Sequence, residues 1–310
     1  MSKASWTAEA GEAIRADLES NVPGLPQPES AFRIMYSDPK DFRGILTYVR
    51  NIFIVDINDK MYTTVALKYE NDRWASGQVV LTMNAPDSQS IAEFMTQYPD
   101  EISKFFNRME TGRAAENLEK STNRFVNDSL KRKLNVMVNV PADLQTIVRA
   151  SRNFFWATND AKRGRTDLIV YTFPYTDAKT FTDEYLVAKR DSVFKQNVEG
   201  VHPNSYMTTE TKYSDPVYTA ISDRGKYCGV LRGLWKMVGD MMGGPFVSHI
   251  RLDEENHRVV VIEGFVYAPE TNKRNYIRKM EASLFTLRLP GEFDEPVTET
   301  LKTNKEKIKE

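Results

Sequence analysis

Residues 32–59, FRIMYSDPKDFRGILTYVRNIFIVDIND, align without a gap to residues 134–161, LNVMVNVPADLQTIVRASRNFFWATNDA, and this internal repeat constrains the fold more than any other feature. Seven of the 28 positions are identical: Met35/Met137, Pro39/Pro141, Asp41/Asp143, Ile45/Ile147, Arg50/Arg152, Asn51/Asn153 and Phe53/Phe155. Each part of the pattern has a local cause. A short apolar strand comes first, around Ile34 or Val136. Ser37-Asp38 or Asn139 can then cap a helix with proline in its first turn. Phe42, Ile45 and Leu46, or Leu144, Ile147 and Val148, fall on one face of that helix, and Arg-Asn ends it. A buried strand follows, NIFIVDI or NFFWAT. Both copies continue with a further strand, QVVLTM (78–83) or LIVYTF (168–173), and a helix opening at Asp87 or Asp177. The spacing predicts an α+β protein of two tandem βαββα (ferredoxin-like, split βαβ) repeats with an antiparallel β-rich C-terminal extension.

Four segments follow from this reading: an N-terminal repeat unit at 1–112, a charged connecting helix at 113–133, a second repeat with hairpins and a C-terminal helix at 134–290, and a polar, mobile tail at 291–310. Ala10, Ile14 and Leu18 recur at helical spacing near the start. Three prolines (23, 26, 28) then make NVPGLPQPES an extended linker, since proline fixes φ and removes a backbone donor. Pro99 should interrupt the apolar stripe of Ile91, Met95, Ile102, Phe105 and Met109. Beyond residue 205 the periodicity becomes two, through YMTTETKY, VLRGLWKMVG, FVSHIRLD and HRVVVIEGFVY, before a helix from Asn272 to about Leu284.

Composition excludes several classes. Forty-two Lys and Arg against 43 Asp and Glu leave a net charge of -1, without the long-range field of a nucleic-acid binder. The expected base-stacking aromatics are also missing from the strands of the repeats. One cysteine, Cys228, rules out an intrachain disulfide and a multi-cysteine metal site. His202, His249 and His257 lack metal-ligand spacing, so no metal and no cofactor are expected. GxSxG, GxGxxG after a strand and a Walker loop are absent, and no catalytic residue can be named.

The stretch most like a site is RGLWKMVGDMMGGPFVS. GDMMGG lacks the Lys-Ser/Thr of a phosphate loop and reads as a glycine-rich bend between strands. Beside it, Trp235, Met237, Asp240, Met241, Met242, Gly243, Gly244 and Phe246 are the candidate binding residues, an apolar groove if exposed. An alternative, an envelope-associated hydrolase, would require Asp240 or Glu263 to meet His249 or Tyr267 in one pocket.

VPGLPQPE (22–29), VRNIFIVDI (49–57), SYMTTET (205–211), the glycine-rich run and EGFVYAPETNKRNYIRKMEA resemble the uncharacterised Bacteroidetes lipoproteins grouped as domain-of-unknown-function family 4837, over roughly residues 5–289. The resemblance implies a cell-envelope protein, periplasmic or outer-membrane associated, exported and lipid-anchored, and brings no known reaction; the first expectation is therefore a non-enzymatic binding protein. Its partner would be an envelope protein or a small ligand, and it would touch the membrane only through that anchor. The sequence opens without an apolar signal core or an N-terminal cysteine, so either an export signal was removed ahead of residue 1, or the protein is cytoplasmic with Met1 as its native start.

Overall fold

A computed structural model describes residues 1–294 of the chain. The chain forms two compact units. Among the described residues, the first comprises Met1–Asn21 and Ser30–Arg113, and the second comprises Val22–Glu29 and residues 114–294.

The first unit holds helices α1 (Lys3–Trp6), α2 (Glu9–Leu18) and α3 (Ser88–Gln97), and strands β1 (Asn51–Ile57), β2 (Ala66–Asn71) and β3 (Val79–Ala85). The sheet order is β1-β3-β2, with β1 parallel and β2 antiparallel to the central β3. β3 is buried nearly throughout, as a central strand of aliphatic residues should be. Asp87 caps α3 by accepting from the Ser90 N–H at 2.7 Å. Pro99 separates α3 from α4 (Glu101–Lys120), and the division between the units falls inside α4.

The second unit is an eight-stranded, wholly antiparallel sheet faced by helices. Its strands are β4 (Thr146–Ala150), β5 (Phe154–Thr158), β6 (Arg165–Pro174), β7 (Tyr206–Glu210), β8 (Val217–Asp223), β9 (Lys226–Val238), β10 (Gly243–Asp253) and β11 (Arg258–Tyr267). They run in the order β4-β5-β6-β11-β10-β9-β7, with β8 also paired to β9. Its helices are α5 (Arg124–Leu134), α6 (Asp183–Asn197) and α7 (Arg274–Leu284). Strand alternation sorts the side chains. Val247, Val260, Ile262 and Val266 face α5 and α7 in one core. Phe246, Ile250, Val261 and Phe265 face Leu186 and Phe194 of α6 in another. Gly264 lets α7 come close, because a Cβ there would lie 2.7 Å from Met280 Cβ.

The two sequence repeats do not adopt one structure, and the tandem βαββα expectation is corrected. The stretch 39–50 makes only a 3-10 turn at Gly44–Tyr48, and its counterpart becomes strand β4. Gly44 takes a left-handed φ of 62°, which stops a helix. In the second copy Thr146, Ile147 and Val148 are consecutive β-branched residues, which lose rotamer freedom in a helix and pack well on a sheet. Ile45, expected on the apolar face of a helix with Phe42 and Leu46, is 83% exposed. Residues 32–36 form no ladder, though Phe32 and Ile34 still pack on the core.

The connecting helix also differs: α4 ends at Lys120 and α5 starts at Arg124, with the Asn123 side chain accepting from the Val126 N–H at 3.2 Å. Nor does the ordered chain stop at 290, since Glu292 is 3% exposed and bonds Arg251 Nη2 at 2.6 Å. Residues 295–310 of the expected tail lie outside the described residues.

The proline-rich segment is a docked strap rather than a free linker. Val22–Glu29 belongs to the second unit. The Glu29 carboxylate accepts from the Lys273 and Arg274 backbone N–H groups, at 2.6 and 3.0 Å, supplying a cap to the first turn of α7. Leu25 packs on the core beneath α7.

Candidate functional site

The β9–β10 hairpin owes its shape to its glycines. Met237 N–H donates to Met242 O at 2.9 Å and closes the turn. Gly239 sits at φ 81°, and Asp240 Oδ1 accepts from the Met241 N–H at 2.6 Å. A Cβ on Gly244 would fall 2.0 Å from Val266 O, and one on Gly243 2.9 Å from Trp235 O. Gly243 and Gly244 allow close backbone approach, and Gly239 supplies the left-handed turn conformation.

Three of the eight candidate residues are core. Trp235, Met237 and Phe246 are 2%, 7% and 1% exposed, on the face covered by α6. The Trp235 indole N–H donates to Val266 O at 3.2 Å, and its ring meets Phe265 edge-on at 5.4 Å. Gly244 is buried and Met242 is partly buried against the same core. The Trp/Met cluster, whose exposure the sequence left open, is thus mostly packed interior, because the odd-numbered positions of β9 point under α6.

What remains accessible is the tip. Met241 is fully exposed, Gly243 is exposed and Asp240 half-buried. Gly239 lies against Ser205, where a Cβ would sit 3.4 Å from Ser205 Cβ, so the turn abuts the loop 200–204. That loop is folded on itself by Gly200 N–H to Ser205 O (2.9 Å) and Ser205 N–H to His202 O (3.0 Å). It presents Val201 at 86% exposure, and Val238 at the end of β9 is 36% exposed. Two tight turns thus hold three aliphatic or thioether side chains out in water at one end of the sheet.

Two buried ionic clusters lie behind this end, on opposite faces. On the α6 side, Arg190 donates from Nε and Nη2 to the two Glu263 oxygens, at 2.9 and 2.7 Å. Its Nη1 reaches Thr209 Oγ1 at 2.9 Å, and its plane lies 3.9 Å from the Phe246 ring centre. Ser248 donates to Glu263 at 2.7 Å. The guanidinium and carboxylate are 1% and 0% exposed, which makes them an internal lock with no room for a substrate.

On the α7 side, Arg232 bonds Glu281, whose carboxylate lies 3.9 Å from His249 Nε2. Burial pushes Glu281 up, but Arg232 and His249 outweigh it and hold the carboxyl at about 2. Cys228 is buried on the same face.

Of the pairs that the hydrolase alternative names, Glu263 and His249 are not brought together. Ser248 pairs with Glu263 and His249 with Ile262 across β10 and β11, so the carboxylate and the imidazole point to opposite sides of the sheet. Tyr267 packs against Trp235 on the α6 side, and Asp240 lies in the turn. Among the described residues no three His, Cys, Asp or Glu side chains could together hold a metal, and no helix is long and apolar enough to cross a membrane. Arg190, Arg232 and Glu281 carried no marker in the sequence, since their partners are 73 and 49 residues away.

The fold and its closed interior define an α+β domain built on a helix-covered antiparallel sheet. A family model described as a domain of unknown function (DUF4837) matches residues 123–286, more than half of the chain, and the protein belongs to that family. Residues 1–119 match a second model, also a domain of unknown function (DUF8532). VPGLPQPE and VRNIFIVDI therefore fall outside the DUF4837 match. No curated protein matches the chain.

Proposed function

We propose that the protein acts by binding rather than catalysis, and that its contact surface is the β9–β10 tip together with the loop 200–204. The observation that carries this reading is the full exposure of Met241, and the 86% exposure of Val201 on the loop that Gly239 abuts, on turns closed by their own hydrogen bonds. Apolar side chains held in water by a stiff scaffold lose little entropy on association, and methionine adapts to varied partner shapes. Asp240, Met241 and Met242 keep their candidate role, while Trp235, Met237 and Phe246 support the scaffold from within. The resemblance of the sequence to Bacteroidetes lipoproteins supports a cell-envelope setting, with the lipid anchor ahead of residue 1 and an envelope protein or small ligand as partner.

The test is site-specific photocrosslinking in intact cells, with the reactive residue at Met241 and a control at exposed Lys162. A discrete adduct from position 241, lost on Val201→Glu, is expected in the envelope fraction. Absence of an adduct, or the same adducts from both positions, would overturn the proposal.

A further inference from the structure

Sheet edges expose unpaired N–H and C=O groups, and proteins protect them by bulges, charges, prolines or a covering segment. Most edges here show such a device. β4 has a register shift between Ile147 and Arg149 and carries the Arg149 charge. β7 is covered by the chain after α6, through Met207 N–H to Val198 O at 3.1 Å and the bridge between Glu199 and Tyr206. In the first unit β2 bears Lys68 and Glu70, and the Met1 amino group donates to Val55 O of β1 at 2.7 Å.

β8, VYTAISD, shows no bulge and no covering segment among the described residues, and its one charged residue, Asp223, stands at its end. Its first six residues include no charge and no proline, and it pairs with β9 in unbroken register from Val217↔Arg232 to Asp223↔Lys226. Among the described residues its backbone groups bond only to β9, and Thr219 and Ala220 are exposed. The strand is nevertheless firmly placed. The Tyr218 ring covers Gly229, where a Cβ would meet its hydroxyl at 2.5 Å, and its hydroxyl bonds that of Tyr227. Ile221 packs on the core beneath α7.

We propose that β8 pairs antiparallel with β8 of a second copy of this chain, about a two-fold axis at Ala220, joining the two sheets edge to edge. Ala220 is the midpoint of the seven-residue strand, so this register pairs every residue. On one face Thr219 meets Ile221 of the partner subunit, and the reciprocal pair forms by symmetry. On the other, Tyr218 meets Ser222 of the partner subunit, and the small Ala220 meets its own equivalent at the axis. No like charges are opposed, because the one charged residue, Asp223, is 5% exposed and turned to Arg224 at 3.1 Å. The net charge of -1 adds no long-range repulsion between copies. A contact of this length is small, so dissociation constants on the order of micromolar are expected.

The experiment is sedimentation of the full chain over a dilution series, with Ala220→Lys and Ala220→Cys. The wild type should shift from dimer to monomer on dilution. Ala220→Lys sets two cations face to face on an exposed edge and should weaken the dimer at least about tenfold while leaving circular dichroism unchanged. Directly opposed residues have Cα atoms roughly 4.5–5.5 Å apart, within disulfide reach, so Ala220→Cys should link two copies under mild oxidation. Thr219→Cys, which meets Ile221 of the partner subunit instead, should link far more slowly. A monomer at about 0.1 mM, an unchanged constant for Ala220→Lys, or equal crosslinking at 219 and 220 would each overturn the proposal.

Discussion

Glu292→Gln gives a quantitative test of the packing at the end of the described chain. The carboxylate accepts from Arg251 Nη1 and Nη2 at 2.9 and 2.6 Å, from Lys226 Nζ at 2.7 Å and from the Leu289 N–H at 3.0 Å. Burial pushes its carboxyl up, but these hydrogen bonds and the Arg251 charge outweigh burial and hold it down from 4.5 to about 2. That drop corresponds to about 3 kcal/mol of stabilisation of the folded state. Glutamine keeps an acceptor, and part of the site touches solvent, so the expected loss is about 2 kcal/mol at neutral pH. The folded value lies below the unfolded one, so the contribution is fully present above about 4.5 and disappears as pH falls toward about 2. Urea unfolding would be followed by emission in a Trp6→Phe, Trp74→Phe background, leaving Trp156 and Trp235 to report the second unit. The gap between wild type and variant should be about 2 kcal/mol at neutral pH and shrink steadily below the unfolded carboxyl value. A gap under about 0.5 kcal/mol at neutral pH, the size of an ordinary surface substitution, or one independent of pH would refute the reasoning.

Trp235→Ala should cost about 3–5 kcal/mol in the same unfolding assay, the range for emptying a buried indole site, and a change below about 1 kcal/mol would show that the ring is not core. Arg190→Met should cost about 3–5 kcal/mol by leaving Glu263 buried and unpaired, and adding Glu263→Leu should restore most of it, a double-mutant cycle that a solvated pair would not produce.

Much of the second unit was legible in the sequence. The period of two in VLRGLWKMVG, FVSHIRLD and HRVVVIEGFVY marks β9, β10 and β11, and the helix expected from Asn272 to about Leu284 is α7. The repeat misled because identity at Ile45/Ile147 and Pro39/Pro141 was read as a shared helix. Local propensity decided otherwise, through Gly44 in one copy and the β-branched run 146–148 in the other. β8 went unread because its alternation is weak: an edge strand has no fully buried face to impose one. The candidate site failed for a related reason. Alternation in LWKM shows that Trp235 and Met237 share a face, but which faces are covered depends on α6 and α7, far off in sequence.

The docked strap also bears on the order in which the chain can be completed. Glu29 leaves the ribosome early, yet the backbone groups it caps belong to residues 244 and 245 positions later. Until α7 has been synthesised, the Glu29 carboxylate lacks these two donors. Proline is suited to such a wait, since it cannot donate to a stray strand and stays extended while the rest is made. Closure of this contact is thus a late event by necessity, and the nascent chain should acquire its final protease resistance near residues 22–29 only once α7 has been made.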